Sequence, residues 1–512
     1  MPESATAPAT PLDLLDRLAV GYLTAPLFIF LFGWFEPWAA LPLAGLAVHS
    51  LRPLVAALPA GGARLPVGTL QFAIAAAIGC AWTVFGGTEH WVFANADWHI
   101  RDAVLHDLVL GQWPVSYRAL DGQELLLRAP LGFYMPAALI GKAAGLLAAH
   151  AAMALWTAAG AILFLLQVLS RVPPRLGPTL TAAAVIVLFS GFDAVGTLLN
   201  VPGAAAQWDI TRHLEWWAGR YQYSSMTTQL FWVPNHALGG WLLVGLLLRA
   251  PPGRAAVDGV LPMAVAATAL WSPLTAVGIA PFVLRRLWSV SRRERSFRLA
   301  DPRVWAPAAA VGVAVSAYLT LDAGDIPKRW IIGGNGTAAA ELAMDAARHA
   351  EFFLLEAGFI GLAILAIRRS GTVVLALGIL ALLPLYSFGA WNDFDMRVSI
   401  PSLAVLAVGA CLALLQPATG AVDGAKKVVL ASLLCIGAVT PLQEFARAAV
   451  LEPWPINLDS TLIDVTCGRE FPHYLARLGN HGLARILRPA HLLGSGREDS
   501  ALCPQRAKRP RP

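Results

Sequence analysis

Apolar runs close to the length that crosses a lipid hydrocarbon core recur along most of this chain. Ala151–Leu169, Leu180–Leu199, Val304–Leu321 and Val398–Leu415 are examples. About 20 apolar residues, at about 1.5 Å of helical rise each, cross a core of about 30 Å. The runs are continuous stretches of Leu, Ala and Val without alternating polarity, so helices are expected and a barrel is not. Of 512 residues 57% are hydrophobic and only 14% charged, and mean hydropathy is +0.60. A soluble chain carries about 25% charged residues. An all-α, polytopic transmembrane helical bundle surrounded by membrane lipids is therefore predicted. The net charge of +6 gathers in short arginine-rich loops, a pattern of membrane orientation and not of nucleic-acid binding. Met1–Arg17 lacks a basic start and a cleavage site, so it is not expected to be a cleaved signal peptide.

Residues 1–66 read as an N-terminal tail and membrane hairpin, 67–442 as a transmembrane core and 443–512 as an external C-terminal tail. Pro136–Leu147 is too short to cross and predicts a half-helix that dips into the membrane. It carries Lys142; an arginine or lysine such as this is the simplest partner for Glu356 in a later apolar run. Val260–Leu284 is broken at Trp271-Ser272-Pro273 and flanked by basic residues, which predicts two short helices entering and leaving on one side. The loop 285–303 holds seven arginines against Glu294 and Asp301 and is placed inside. Counting from it puts 88–134, 200–235, 322–349 and 390–397 outside, with about eleven full spans plus short re-entrant helices.

Polar chemistry collects in these external loops. In the first, Asn95-Ala96-Asp97-Trp98-His99 leads into a predicted helix over 98–111. Asp97 is either a functional acid or that helix's N-cap. His99, Asp102 and His106 fall at i, i+3 and i+7, on one helix face. Their chemistry suits a divalent metal, and a solvated polar face is the alternative. Arg128 and Tyr134 close the segment. In the second loop Asp209, Arg212, His213 and Glu215 form ion pairs or contact substrate. Tyr223, Asn235 and His236 belong to aromatic and amide-rich stretches that suit sugar binding or an interfacial belt. Asp395 and Arg397 stand directly before an apolar helix, where charge is expensive. Arg397 is placed either to grip a phosphate or to pair with Asp395. Cys467 and Cys503 share the external tail and are expected to form a disulfide.

These residues resemble the GT-C membrane glycosyltransferases, which use polyprenyl-phosphate-linked sugar donors. In that fold the first external loop carries an essential acid, followed by an aromatic-proline entry into a short helix and then a full span. The same order reads here as Asp97, Leu131-Gly-Phe-Tyr134-Met-Pro136, Ala137–Leu147 and Ala151–Leu169. Asp97-Trp-His99, Trp113-Pro114-Val115, Tyr134–Lys142, Tyr223–Thr228 and Met396-Arg397 also resemble a group of uncharacterised bacterial membrane proteins of this architecture. The likeness covers roughly residues 67–415. The extra hairpin before the acidic loop and the lone acid in Asn-Ala-Asp-Trp-His depart from the pattern. The resemblance implies a GT-C-like fold in a bacterial inner membrane and transfer of a sugar on the extracytoplasmic face. It implies Asp97 as the base, with Asp102 the second candidate; because the leaving group is a phosphate, Arg397, Arg128 and a divalent metal held by His99, Asp102 and His106 are the candidates to stabilise it. A transporter or flippase of lipid-linked saccharides, or a non-catalytic GT-C relative, is the alternative.

Overall fold

The computed structural model describes residues 12–55, 65–204, 208–251, 254–294, 302–331, 339–389, 391–467, 473–477 and 482–495. The architecture is helical. Helix α1 (Leu14–Trp34) begins where the Asp13 carboxylate accepts the Asp16 amide at 2.9 Å, and α2 (Pro37–Ser50) starts with proline in its first turn, where no N–H is missed. Helix α3 (Thr69–Phe85) leads to the first polar segment. There α4 (Trp98–Leu110) lies between apolar runs, and α5 (Met135–Ala144) and α6 (Leu146–Leu169) follow. The short α5 and its break at Gly145 match the expected half-helix and span.

Next come α7 (Leu176–Leu188), α8 (Asp193–Asn200), α9 (Met226–Trp232) and α10 (Pro234–Arg249). Helices α11 (Ala255–Trp271) and α12 (Pro273–Glu294) break at Ser272-Pro273 as predicted and pack against each other. Helix α13 (Pro302–Leu319) leads to α14 (Ala339–Phe353), which continues through a π-turn at Leu354–Gly358 into α15 (Phe359–Ile367). Helical structure thus begins well inside 322–349, expected as loop; polar residues such as Glu341 and Asp345 mask its helical period. Helices α16 (Gly371–Leu382), α17 (Asp393–Val398), α18 (Ile400–Leu415), α19 (Ala421–Gly437), α20 (Val439–Val450) and α21 (Leu462–Val465) complete the series.

Among the described residues, five helical stretches are long and apolar enough to cross a membrane: Leu14–Trp34, Leu146–Leu169, Leu176–Asn200, Glu341–Ile367 and Ala421–Val450. Four shorter apolar helices accompany them: Thr69–Phe85, Ala255–Trp271, Gly371–Leu385 and Ile400–Leu415.

Helix α1 serves as a yardstick. Its 21 residues extend about 30 Å. At its first turn Asp13 and Asp16 meet Arg249 and Arg254. At its far end Trp34 packs on Trp113 and Tyr318. The arginine-rich end and the polar-loop end are therefore separated by the length of a span.

The 443–512 tail folds back onto the first polar segment. Strands β1 (Val115–Arg118) and β2 (Glu124–Leu127) form an antiparallel hairpin. A second, two-stranded sheet pairs β3 (Lys328–Trp330) with β4 (Tyr386–Phe388). From the tail, β5 (Leu475–Arg477) joins β2 antiparallel and β6 (His491–Ser495) joins β1 parallel. The result is a four-stranded sheet ordered β5-β2-β1-β6. Asp107 ties α4 to this cap, accepting from His106 Nδ1 at 2.8 Å, Tyr117 Oη at 2.6 Å and the Leu462 amide at 2.7 Å. Burial of all but His99 and Leu110 of α4 follows from this cover.

Cys80, Cys411 and Cys435 are free. Cys467 is disulfide-bonded, and its expected partner Cys503 lies outside the described residues.

Candidate functional site

The site is built from the N-terminal ends of helices. Asp97 occupies the N-cap position of α4, yet its side chain makes no capping bond. Its carboxylate, 47% exposed, instead lies 3.4 Å from the Arg101 guanidinium one turn later. Arg101 itself is buried, with Nη2 3.4 Å from Asn235 Oδ1 and the guanidinium 5.7 Å from the Trp98 ring centre. Its Nε and Nη1 are buried without a hydrogen-bond partner. A guanidinium has five donors, and burying them unpaired is costly.

Asn235 and His236 open α10, where Pro234 takes the first position. Asn235 Nδ2 approaches His236 Nε2 at 3.2 Å, and His236 Nδ1 is a further buried atom without a partner. The Thr275 hydroxyl lies 3.2 Å from the His236 carbonyl and 3.3 Å from that of Arg397, so α10, α12 and α17 converge on it. Gly278 permits this approach, because a Cβ there would collide with the Val398 carbonyl. Small residues bring helices close in the same way in membrane bundles.

Arg397 bonds Asp393 at 2.8 Å, and Asp393 also lies 3.6 Å from His473 Nδ1. Arg397 Nε is buried without a partner. His236 sits in the combined field of Arg397 and Arg101, and Tyr474 in the field of Arg101, Arg397, Asp97 and Asp393. Tyr134, the residue before α5, faces Arg101 and Tyr474, and its hydroxyl has no hydrogen-bond partner. Burial raises the Tyr134 phenol above its ordinary range, so it stays a neutral donor.

Of the residues proposed from sequence, Asp97, Tyr134, Asn235, His236 and Arg397 therefore belong to one cluster. Asp395 lies beside it, in the field acting on Tyr223 and Tyr221. Its carboxylate is buried, and burial raises its carboxyl well above the usual carboxylate range, which the neighbouring Asn392 side chain only partly offsets. Arg397 pairs with Asp393 and not with Asp395, because a residue four positions back on α17 faces it. Arg128 reaches His473 electrostatically, but Nη1 donates to the Leu319 carbonyl at 3.1 Å. The Tyr223 hydroxyl donates to the Leu380 carbonyl at 2.5 Å. Arg212 is exposed, near Asp209 and Gln443.

The three metal candidates point to separate partners. His99 stacks on Trp454 at 3.9 Å, Asp102 meets His90 at 3.3 Å and the Asn457 amide at 3.3 Å, and His106 bonds Asp107. Among the described residues no group of three or more His, Cys, Asp or Glu is arranged to hold a metal ion. Burial pushes the Asp102 carboxyl up to about 8 and the His90 imidazole down to about 4. The pair is neutral near pH 7, and the contacts of Asp102 are with His90 and the Asn457 amide. Lys142 does not meet Glu356 either. It donates to the Gly111 carbonyl at 2.5 Å, while Glu356 accepts from Trp217 at 2.9 Å.

Sequence reading passed over Arg101, Asp393, His473 and Tyr474. The i, i+4 spacing of Asp97 and Arg101 was a visible signal, shared with any surface helix pair. The two tail residues carried none, since only the β2–β5 pairing brings them in. Comparison of the chain finds no matching family model, curated protein or solved structure.

Proposed function

We propose that the chain is a GT-C-type membrane glycosyltransferase that moves a sugar from a polyprenyl-phosphate donor to an acceptor on the extracytoplasmic face of a bacterial inner membrane. The observation that carries this reading is the half-exposed Asp97 carboxylate beside a buried Arg101 with two unpartnered nitrogens. An inverting transfer needs a carboxylate to take a proton and cations to receive a phosphate leaving group. Asp97 takes the acceptor hydroxyl proton while that oxygen forms its bond to the anomeric carbon. The bond from that carbon to the phosphate oxygen breaks, and the electron pair leaves with the polyprenyl phosphate. Arg101 and Arg397 neutralise the growing phosphate charge, and Asn235, His236 and Tyr134 orient the sugar. Asp102 is not assigned a step. In this reading the four shorter apolar helices and the broken pairs complete the roughly eleven-span bundle. A divalent metal, if it takes part, would have to be held by other geometry than the His99, Asp102 and His106 contacts.

A transporter of lipid-linked saccharides is the second reading. It is favoured by Glu356, a buried acid in the π-turn of the Glu341–Ile367 stretch, since π-turns and intramembrane acids mark functional positions. Purified protein incubated with radiolabelled polyprenyl-phosphate sugars separates the two. Transfer to an acceptor that disappears in Asp97→Asn, with insertion intact, supports the enzyme. Translocation of an unchanged lipid supports the transporter.

A further inference from the structure

A second cationic feature lies apart from the Asp97 cluster, in a cleft of about 650 Å³ between α1 and α5. Its walls are Phe28, Ile29, Phe32 and Leu139, and Trp113, Lys142, Arg488 and His491 also line it. Phe32 and Leu139 are 45% and 49% exposed, so the cleft opens sideways from the helices. Gly33 lets Trp113 lie against α1, since a Cβ there would come 2.7 Å from the indole ring.

The cations are held in place by backbone. Lys142 donates to the Gly111 carbonyl at 2.5 Å and stands 4.9 Å over the Trp113 ring. Arg488 Nε donates to the Phe35 carbonyl at 3.1 Å, which fixes the guanidinium at the end of α1. Among the described residues no Asp or Glu lines the cleft. Four arginines elsewhere in the chain, Arg249, Arg286, Arg397 and Arg447, instead meet carboxylates.

We infer that this cleft binds one anionic phospholipid, with an acyl chain on Phe28, Ile29, Phe32 and Leu139 and the phosphate between Arg488 and Lys142. Charge complementarity selects this occupant. Two fixed cations with no acid suit a net negative headgroup, and a zwitterionic headgroup would bring a positive choline with nothing to receive it. The apolar walls exclude free phosphate as the preferred ligand. The inference is independent of the glycosyl-transfer reading.

Native mass spectrometry of the full-length protein, offered phosphatidylglycerol or phosphatidylcholine in detergent, tests it. One phosphatidylglycerol should be retained with at least about tenfold preference. Lys142→Gln with Arg488→Gln should abolish that preference. Leu139→Trp fills the cleft while keeping both cations and should also lose the lipid, so the test does not depend on the cation variant folding. Asp97→Asn should retain the lipid as wild type does. Equal retention of both lipids, wild-type retention in Leu139→Trp, or a stronger hold on polyprenyl phosphate in this cleft would overturn the inference.

Discussion

Two arginines mark opposite ends of the bundle, and they are treated differently. Arg249 has every guanidinium nitrogen engaged: Nε with Ser170 at 2.8 Å, Nη2 with Asp13 at 3.0 Å and Nη1 with Asp16. Arg101 is buried more deeply, yet only Nη2 has hydrogen-bond contacts, both at 3.4 Å. A guanidinium whose donors are all satisfied is complete as folded. One whose donors are orphaned holds desolvation energy that an anionic ligand can release. The contrast separates a structural arginine from one waiting for a partner, and the more deeply buried of the two is the one left unsatisfied.

Replacing the two arginines is the sharpest way to break this comparison. Arg249→Gln leaves Asp16 buried without its strongest partner, and stability should fall by about 3–5 kcal/mol. Thermal unfolding in detergent would register it, with activity falling only as the folded fraction does. Arg101→Gln should change stability by less than about 1 kcal/mol while lowering sugar transfer about 10²–10³-fold. Equal stability losses in the two variants would erase the distinction.

The Asp102 carboxyl is raised from 3.8 to about 8 by burial. An unfolded chain ionises this acid near its ordinary value, whereas the folded chain keeps it protonated. Stability from this group is thus complete below about pH 4 and is lost as pH rises towards about 8. Asp102→Asn removes the dependence, so the variant's unfolding temperature should gain on wild type as pH rises. The gain should reach the order of 1–3 kcal/mol. A difference independent of pH would mean that Asp102 is ionised in the fold. The smallest effect is expected at Trp454, which stacks on His99 and donates to the Ala94 carbonyl at 2.8 Å. Trp454→Phe should cost about 1 kcal/mol in stability and leave transfer within about twofold of wild type.

Hydropathy carried most of the helical architecture. The break at Ser272-Pro273, the short α5 and the span after it all follow from local chain chemistry, in which proline and apolar run length dominate. The tail did not yield to that reasoning. Strands β5 and β6 are short, and their partners lie more than 300 positions away in sequence, so no local period announces them. The candidate site was half legible for the same reason. Asp97, Tyr134, His236 and Arg397 stand out as polar residues beside apolar runs. Arg101 looked like an ordinary helix pair, and only tertiary burial gives it orphaned donors. The helical period that grouped His99, Asp102 and His106 was real, but Trp454, His90 and Asp107 each claim one of them.

The most direct measurement is the affinity of polyprenyl phosphate, without sugar, for wild type and Arg101→Gln in matched nanodiscs. If the orphaned guanidinium receives the phosphate, the substitution weakens binding by at least about tenfold, while Asp97→Asn binds within about threefold of wild type. Unchanged affinity in Arg101→Gln would contradict the account.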